Sequence, residues 1–142
     1  MILIPDHIVI HHSGTVDTSS LTWGIIRSNH EAVYPDSGHP YHFGVEWIRN
    51  GYEILMGRMP NVKGAHCRAQ RMNHRALGFV LVGNFDMVKP PVKQWDQSRR
   101  AVSYLMTHFN IPLRNIIGHK EVEDKTACPG RFFDLGKFRS EL

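Results

Sequence analysis

Cysteine is scarce: Cys67 and Cys128 are the only two in 142 residues. That is too few for the disulfide framework that staples small secreted folds. Long hydrophobic runs are missing as well, and nothing approaches the roughly 20 apolar residues that a helix needs to cross a bilayer. Membrane insertion is therefore not expected. The opening Met1-Ile2-Leu3-Ile4-Pro5-Asp6 has no basic stretch, and its apolar stretch is too short for a secretory signal. Synthesis in the cytoplasm without a signal peptide is the expectation. Basic residues are in modest excess, with a net charge of +4. They are scattered, Arg99-Arg100 being the densest pair, and no stripe tracks a phosphate backbone. Nucleic acid is not expected as a partner; an anionic wall polymer suits the charge better.

What remains is an ordinary globular composition, 42% hydrophobic and 21% charged, at the length of a single domain. His7 to His12 is apolar and β-branched in its middle, which predicts a buried strand ending in the turn-forming Ser13-Gly14-Thr15. Asp17-Thr18-Ser19-Ser20 offers caps for a helix over 21–33, with Leu21, Ile25, Ile26 and Ala32 available for its inner face. Arg49-Asn50-Gly51 between 41–48 and 52–55 predicts a hairpin. Alternation would put Tyr41, Phe43, Val45 and Trp47 on one face, and His42, Glu46 and Ile48 on the other.

Residues 57–75 form a long polar loop, a length that is usually functional inside a compact domain. Ala76 to Gly83 is an unbroken apolar run expected as a central strand. Val92 to Phe109 is the clearest helix, with a stripe of Val92, Trp95, Val102, Leu105, Met106 and Phe109. A short strand over 114–118 and a helix within 132–142 complete the pattern. It predicts an α/β fold in which one domain, 1–142, has a central mixed β-sheet flanked by helices.

The chemistry concentrates at Gly118 to Gly130. His119 and Cys128 carry the two commonest zinc-ligand types, and Pro129-Gly130 turns the chain directly after the thiol. His11 closes its strand where α/β sheets gather ligands, at the carboxyl ends. Three ligands of the His₂Cys type leave zinc a fourth position for water, as in catalytic sites. Bound there, the water's pKa falls to about 7. A cysteine hydrolase using Cys128 and His119 is the rival chemistry, disfavoured by the third ligand type at His11. Cys67 is expected as a small, semi-buried thiol.

Val9-Ile10-His11-His12-Ser13, Tyr41-His42-Phe43, Gly64-Ala65-His66, Asn73, Leu77 to Phe85, and Gly118-His119 with Ala127-Cys128-Pro129-Gly130 occur in that order. Together they resemble the zinc-dependent N-acetylmuramoyl-L-alanine amidases, the group shared by phage endolysins and peptidoglycan recognition proteins. The resemblance spans about Ile8 to Asp134. It implies hydrolysis, by a zinc-activated water, of the amide between N-acetylmuramic acid and L-alanine in bacterial peptidoglycan. It also implies zinc on His11, His119 and Cys128, and Tyr41 as a catalytic phenol that donates to the oxyanion or orients the water. The remaining catalytic position falls on Lys125 or Thr126, the segment running one residue longer than in the phage-type pattern. Charge stabilisation favours Lys125.

Some relatives carry a glutamate base in the central strand, where this chain has Val80. His66, Arg68, Asn73 and Trp23 are the implied substrate-binding residues, while His12 and His42 are expected to serve structure. The implied role is a monomeric phage or prophage endolysin that reaches the wall through a separate membrane pore. A non-cleaving recognition module and a cytoplasmic muropeptide-recycling amidase are the alternatives. Some phage amidases of this resemblance also inhibit their host's RNA polymerase.

Overall fold

The computed structural model describes residues 1–16 and 22–142. Five strands form one sheet: β1 (His7–His12), β2 (Phe43–Ile48), β3 (Gly51–Met56), β4 (Ala76–Leu81) and β5 (Ile116–Gly118), in the order β3-β2-β4-β1-β5. β1 runs parallel to both β4 and β5, and β2 runs parallel to β4. Among the described residues only the β2–β3 hairpin is antiparallel. The helices are α1 (Thr22–Val33), α2 (Val92–Phe109) and the short α3 (Leu135–Ser140). This is the mixed sheet flanked by helices that the sequence pattern predicts. The hairpin turns on Arg49-Asn50, with Arg49 at φ +58°.

Alternation along the central strands makes two unequal faces. Ile8, Ile10, Leu77, Phe79, Leu81 and Val45 point into the main core, against Val102 and Leu105 of α2 and against Phe133 and Phe138 near the C-terminus. Full burial of such side chains contributes roughly 1.5–3 kcal/mol each. The opposite face holds a smaller cluster of Val9, Cys67, Met72 and Ala76, roofed by the segment between β3 and β4. His11 shares this second face with Val9, so the site opens on the side with less core beneath its roof.

Both helical stripes differ from expectation. On α2 the buried residues are Gln94, Ser98, Val102 and Leu105, while Val92 is 75% exposed. Trp95, Met106 and Phe109 pack only partly against the core. Gln94 is buried because its amide has work on the sheet: Nε2 donates to Val82 O at 2.8 Å and to Val45 O at 3.1 Å. Val45 O has a second donor in Val82 N, so Val82 O is the carbonyl more exposed to the loss of Gln94 among the described contacts. Gln94→Leu is expected to destabilise the fold by about 1–3 kcal/mol, the cost of one buried acceptor left unpaired. Urea titration of the two proteins measures this.

On α1, Ile25 is exposed and only Thr22 is buried. The expected caps at 17–20, and Leu21, lie outside the described residues. At the helix N-terminus the buried carboxylate of Glu46 accepts from Thr22 N and, at 3.0 Å, from Trp23 N. An acidic side chain at the positive end of a helix is favourable, and here it also satisfies otherwise orphaned donors. A glutamate in the middle of β2 thus holds α1 to the sheet.

Candidate metal centre

β1 and β5 are adjacent and parallel, so their carboxyl ends lie side by side. His11 is the penultimate residue of β1, and His119 follows β5 directly. His119 opens a 3₁₀ turn (His119–Glu121) that is fastened at several points. Gly118 N donates to the Glu121 carboxylate at 2.8 Å, and Arg139 pairs with that carboxylate at 2.7 Å. Lys120 N donates to Cys128 O at 2.7 Å, which brings the far end of the loop back to the turn. Gly130, at φ +109°, passes so close to Phe85 that a Cβ would lie 2.4 Å from its backbone carbon. Only glycine fits there, and the fit seats Cys128 beside β1.

The result is one cluster. The ligand atoms of His11, His119 and Cys128 all lie within 4.8 Å of one another. Cys128 Sγ is 3.5 Å from His11 Nδ1, about the spacing of two ligands on one tetrahedral zinc with bonds of roughly 2.0–2.3 Å. Two imidazoles and a thiol suit a transition metal rather than calcium or magnesium, which prefer oxygen. His12 N donates to the Cys128 sulfur at 3.4 Å, a backbone contact that would temper a thiolate's charge.

Electrostatics fit the same use. Burial holds His11 well below the ordinary histidine range, aided by repulsion from His66, His119 and His12. Burial also lowers His119, against the pull of Glu123. Both imidazoles are therefore neutral at neutral pH, the form that binds metal. Burial is the largest influence pushing the Cys128 thiol up to about 12. A metal cation reverses that, since a coordinating thiol is deprotonated outright. Metal uptake then releases a proton.

Tyr41 lies against this cluster, its ring centroid 5.0 Å from that of His11. Its position corrects the expected alternation. Tyr41 precedes the first residue of β2, and it turns to the His11 side while Phe43 joins the main core. His39 sets this departure by accepting from Tyr41 N at 3.2 Å, while its Nε2 donates to Trp23 O. Burial raises the Tyr41 phenol, and the Cys128 charge adds to the effect. Tyr41 is thus a hydroxyl donor throughout the physiological range, not a base. Val80, the register partner of His11 on β4, presents an apolar side chain to the same face.

A cleft of about 630 Å³ adjoins the cluster at His119, and His66, Arg68, Asn73, Lys63 and Tyr34 are among its lining residues. Arg68 is exposed and donates to the Tyr34 hydroxyl at 3.2 Å. Asn73 is buried, and its Oδ1 accepts from both His66 N and Cys67 N at 2.7 Å. Trp23 sits outside this lining. It lies over Gly44 and stacks on His39 with ring centroids 3.8 Å apart. Thr126 is half-buried, and its Oγ1 accepts from Cys128 N at 3.1 Å; Lys125 is exposed.

His12 and His42 serve structure, as expected. His12 Nδ1 accepts from Phe85 N; His42 accepts from Gly78 N and donates to Val62 O. Sequence reasoning missed the contact of His66 with His11, the brace at His39 and the Glu121–Arg139 clamp. Glycines at 64 and 78, which make room for an imidazole, were the available hint for the first.

Fold and cluster together define a class: an α/β protein with a candidate His₂Cys metal centre at its parallel strand ends, opening on a cleft. The family profile described as N-acetylmuramoyl-L-alanine amidase (Amidase_2) matches residues 3–131. The chain belongs to that family. It is similar to Drosophila melanogaster peptidoglycan-recognition protein LB, with 27% identity over 133 residues, 87% of this chain and 54% of that protein. The chain thus spans about half the length of that curated relative. Among solved structures it resembles the N-acetylmuramoyl-L-alanine amidase LysC from Clostridium intestinale URNW, with TM-score 0.78 and 29% identity over 98% of this chain and 85% of that one. Drosophila PGRP-LB wild-type superimposes with TM-score 0.75 and 25% identity over 94% of this chain and 82% of that one. Amidase action on peptidoglycan, or recognition of it, is the activity range of this group.

Proposed function

We propose that residues 1–142 are a zinc amidase catalytic unit that hydrolyses the bond between N-acetylmuramic acid and L-alanine in peptidoglycan. The observation that carries this reading is the complete ligand group, His11, His119 and Cys128, gathered within 4.8 Å at the edge of a cleft. When bound, zinc would supply Lewis acidity, acidifying a water and polarising the scissile carbonyl. The chain's own residues do the remainder. The cleft takes up the muramyl peptide along Arg68 and the backbone held by Asn73. Tyr41 offers its hydroxyl proton to the oxygen that becomes negative as the carbonyl turns tetrahedral. With Val80 beside His11, no carboxylate base is supplied from that position of β4.

Placement supports Thr126 over Lys125 as the second donor. Thr126 stands two residues before Cys128, and its oxygen accepts from the Cys128 amide. Its O–H is therefore left to point elsewhere. Lys125 lies in solvent, where water weakens any electrostatic contact it makes. Thr126→Val is expected to lower kcat toward the lower end of the ~10²–10³ range for losing one oxyanion donor. Lys125→Met should leave kcat near wild type. The reverse order would assign the role to Lys125.

The reading is tested by following release of L-alanine amino termini from purified peptidoglycan, with chelator and then with added zinc. Activity that survives metal removal would sink it. Stoichiometric zinc without turnover would instead favour the recognition module suggested by the likeness to peptidoglycan-recognition proteins. The likeness to the N-acetylmuramoyl-L-alanine amidase LysC supports cleavage; the role proposed with it is that of a phage or prophage endolysin, a monomer that reaches the wall through a separate membrane pore.

A further inference from the structure

His66 has two ring nitrogens, and both are engaged within the protein. Nε2 lies 3.2 Å from Ala76 O, and Nδ1 lies 3.0 Å from Nε2 of His11. A carbonyl only accepts, so the proton of neutral His66 sits on Nε2 and its Nδ1 must accept. The donor to Nδ1 is then the Nε2–H of His11. That leaves the lone pair of His11 on Nδ1, the atom that faces the Cys128 sulfur at 3.5 Å.

The seat for His66 is built from several sides. A Cβ on Gly64 or on Gly78 would come within 2.6 Å of the His66 ring, so glycine at both positions lets the imidazole lie across β4. Its backbone N–H is held by Asn73 Oδ1 at 2.7 Å. The His42 ring stands edge-on to it, with centroids 5.8 Å apart.

We propose that His66 is a positioning residue for the metal centre: by accepting the His11 Nε2–H it fixes the tautomer and ring orientation that present Nδ1 of His11 to the metal. This rests on the metal-centre reading above. The chain of contacts, carbonyl to imidazole to imidazole, does what a carboxylate or carbonyl partner does for a ligating histidine elsewhere. His66 thus lines the cleft while its Nδ1 serves His11 and its Nε2 is held by Ala76 O.

The test reads tautomer and zinc affinity. In nitrogen-15 NMR spectra, His11 of the wild-type protein should carry its proton on Nε2, both zinc-loaded and metal-stripped. His66→Phe should bind zinc 10–100-fold more weakly, the loss typical when a ligand's outer partner is removed, with unchanged stoichiometry at saturation. His66→Asn, which restores an acceptor near the Nδ1 position, should recover part of the loss. Gly78→Ala keeps the imidazole but crowds its seat, and should weaken zinc in the same direction even if the phenylalanine variant fails to fold. A wild-type His11 protonated on Nδ1, or full zinc affinity in a folded His66→Phe or Gly78→Ala protein, would overturn the proposal. Failure of wild type to bind zinc would instead refute the metal-centre reading, while the metal-stripped spectrum still reports the His11–His66 bond.

Discussion

Cys128→Ser is expected to abolish stoichiometric zinc at micromolar concentrations and, with it, amidase turnover. A hydroxyl keeps the size and hydrogen-bonding of the side chain but is not ionised at neutral pH, so the site loses its one anionic ligand. The affinity loss should exceed the roughly 10–100-fold that follows removal of an outer partner. Competition against a chromogenic chelator measures it directly. The fold should persist, because Cys128 is held through its backbone: Lys120 N donates to its carbonyl and Thr126 accepts from its amide. Unchanged zinc content in the serine variant would contradict the ligand assignment.

Tyr41→Phe should behave in the opposite way, retaining zinc while losing rate. The ring packs against His11 at a centroid distance of 5.0 Å, and phenylalanine preserves that contact. Only the hydroxyl disappears. If it donates to the developing oxyanion, kcat falls by about 10²–10³ with KM little changed, because the bond is stronger in the transition state than in the substrate complex. The raised phenol also makes a pH prediction: no alkaline limb from Tyr41 ionisation should appear in the physiological range. A phenylalanine variant with wild-type kcat would remove Tyr41 from the mechanism.

Much of the architecture was legible in the residues because strand signals here are local. The β-branched run at 7–12, the Asn-Gly hairpin and the apolar 76–83 segment each declare themselves without tertiary help. The gathering of His11, His119 and Cys128 was legible for another reason: imidazoles at strand ends with a thiol in the following loop are uncommon enough to stand out. What escaped was set by contacts between distant segments. Tyr41 left its expected face because His39 engages its backbone before β2 begins. Gln94 is buried because a sheet carbonyl needs its amide, a demand invisible in a hydrophobic stripe. The shallow contact of α1 follows from Glu46, whose carboxylate ties the helix to the sheet by its end rather than by an apolar face. His66 meets His11 across 55 positions of chain, and no local pattern encodes such a meeting.

The sheet order carries a consequence for how the protein comes into being. β1 is made first yet lies between β4 and β5, the fourth and fifth strands to be made. His11 waits for Cys128, 117 positions later in the chain, to complete the candidate ligand group. Contacts this non-local form slowly and only after most of the chain is available. A nascent chain that ends before residue 116 therefore lacks the β5 edge of the sheet, and one that ends before residue 128 holds at most two of the three candidate ligands. The side chains proposed to hold the metal thus come together last.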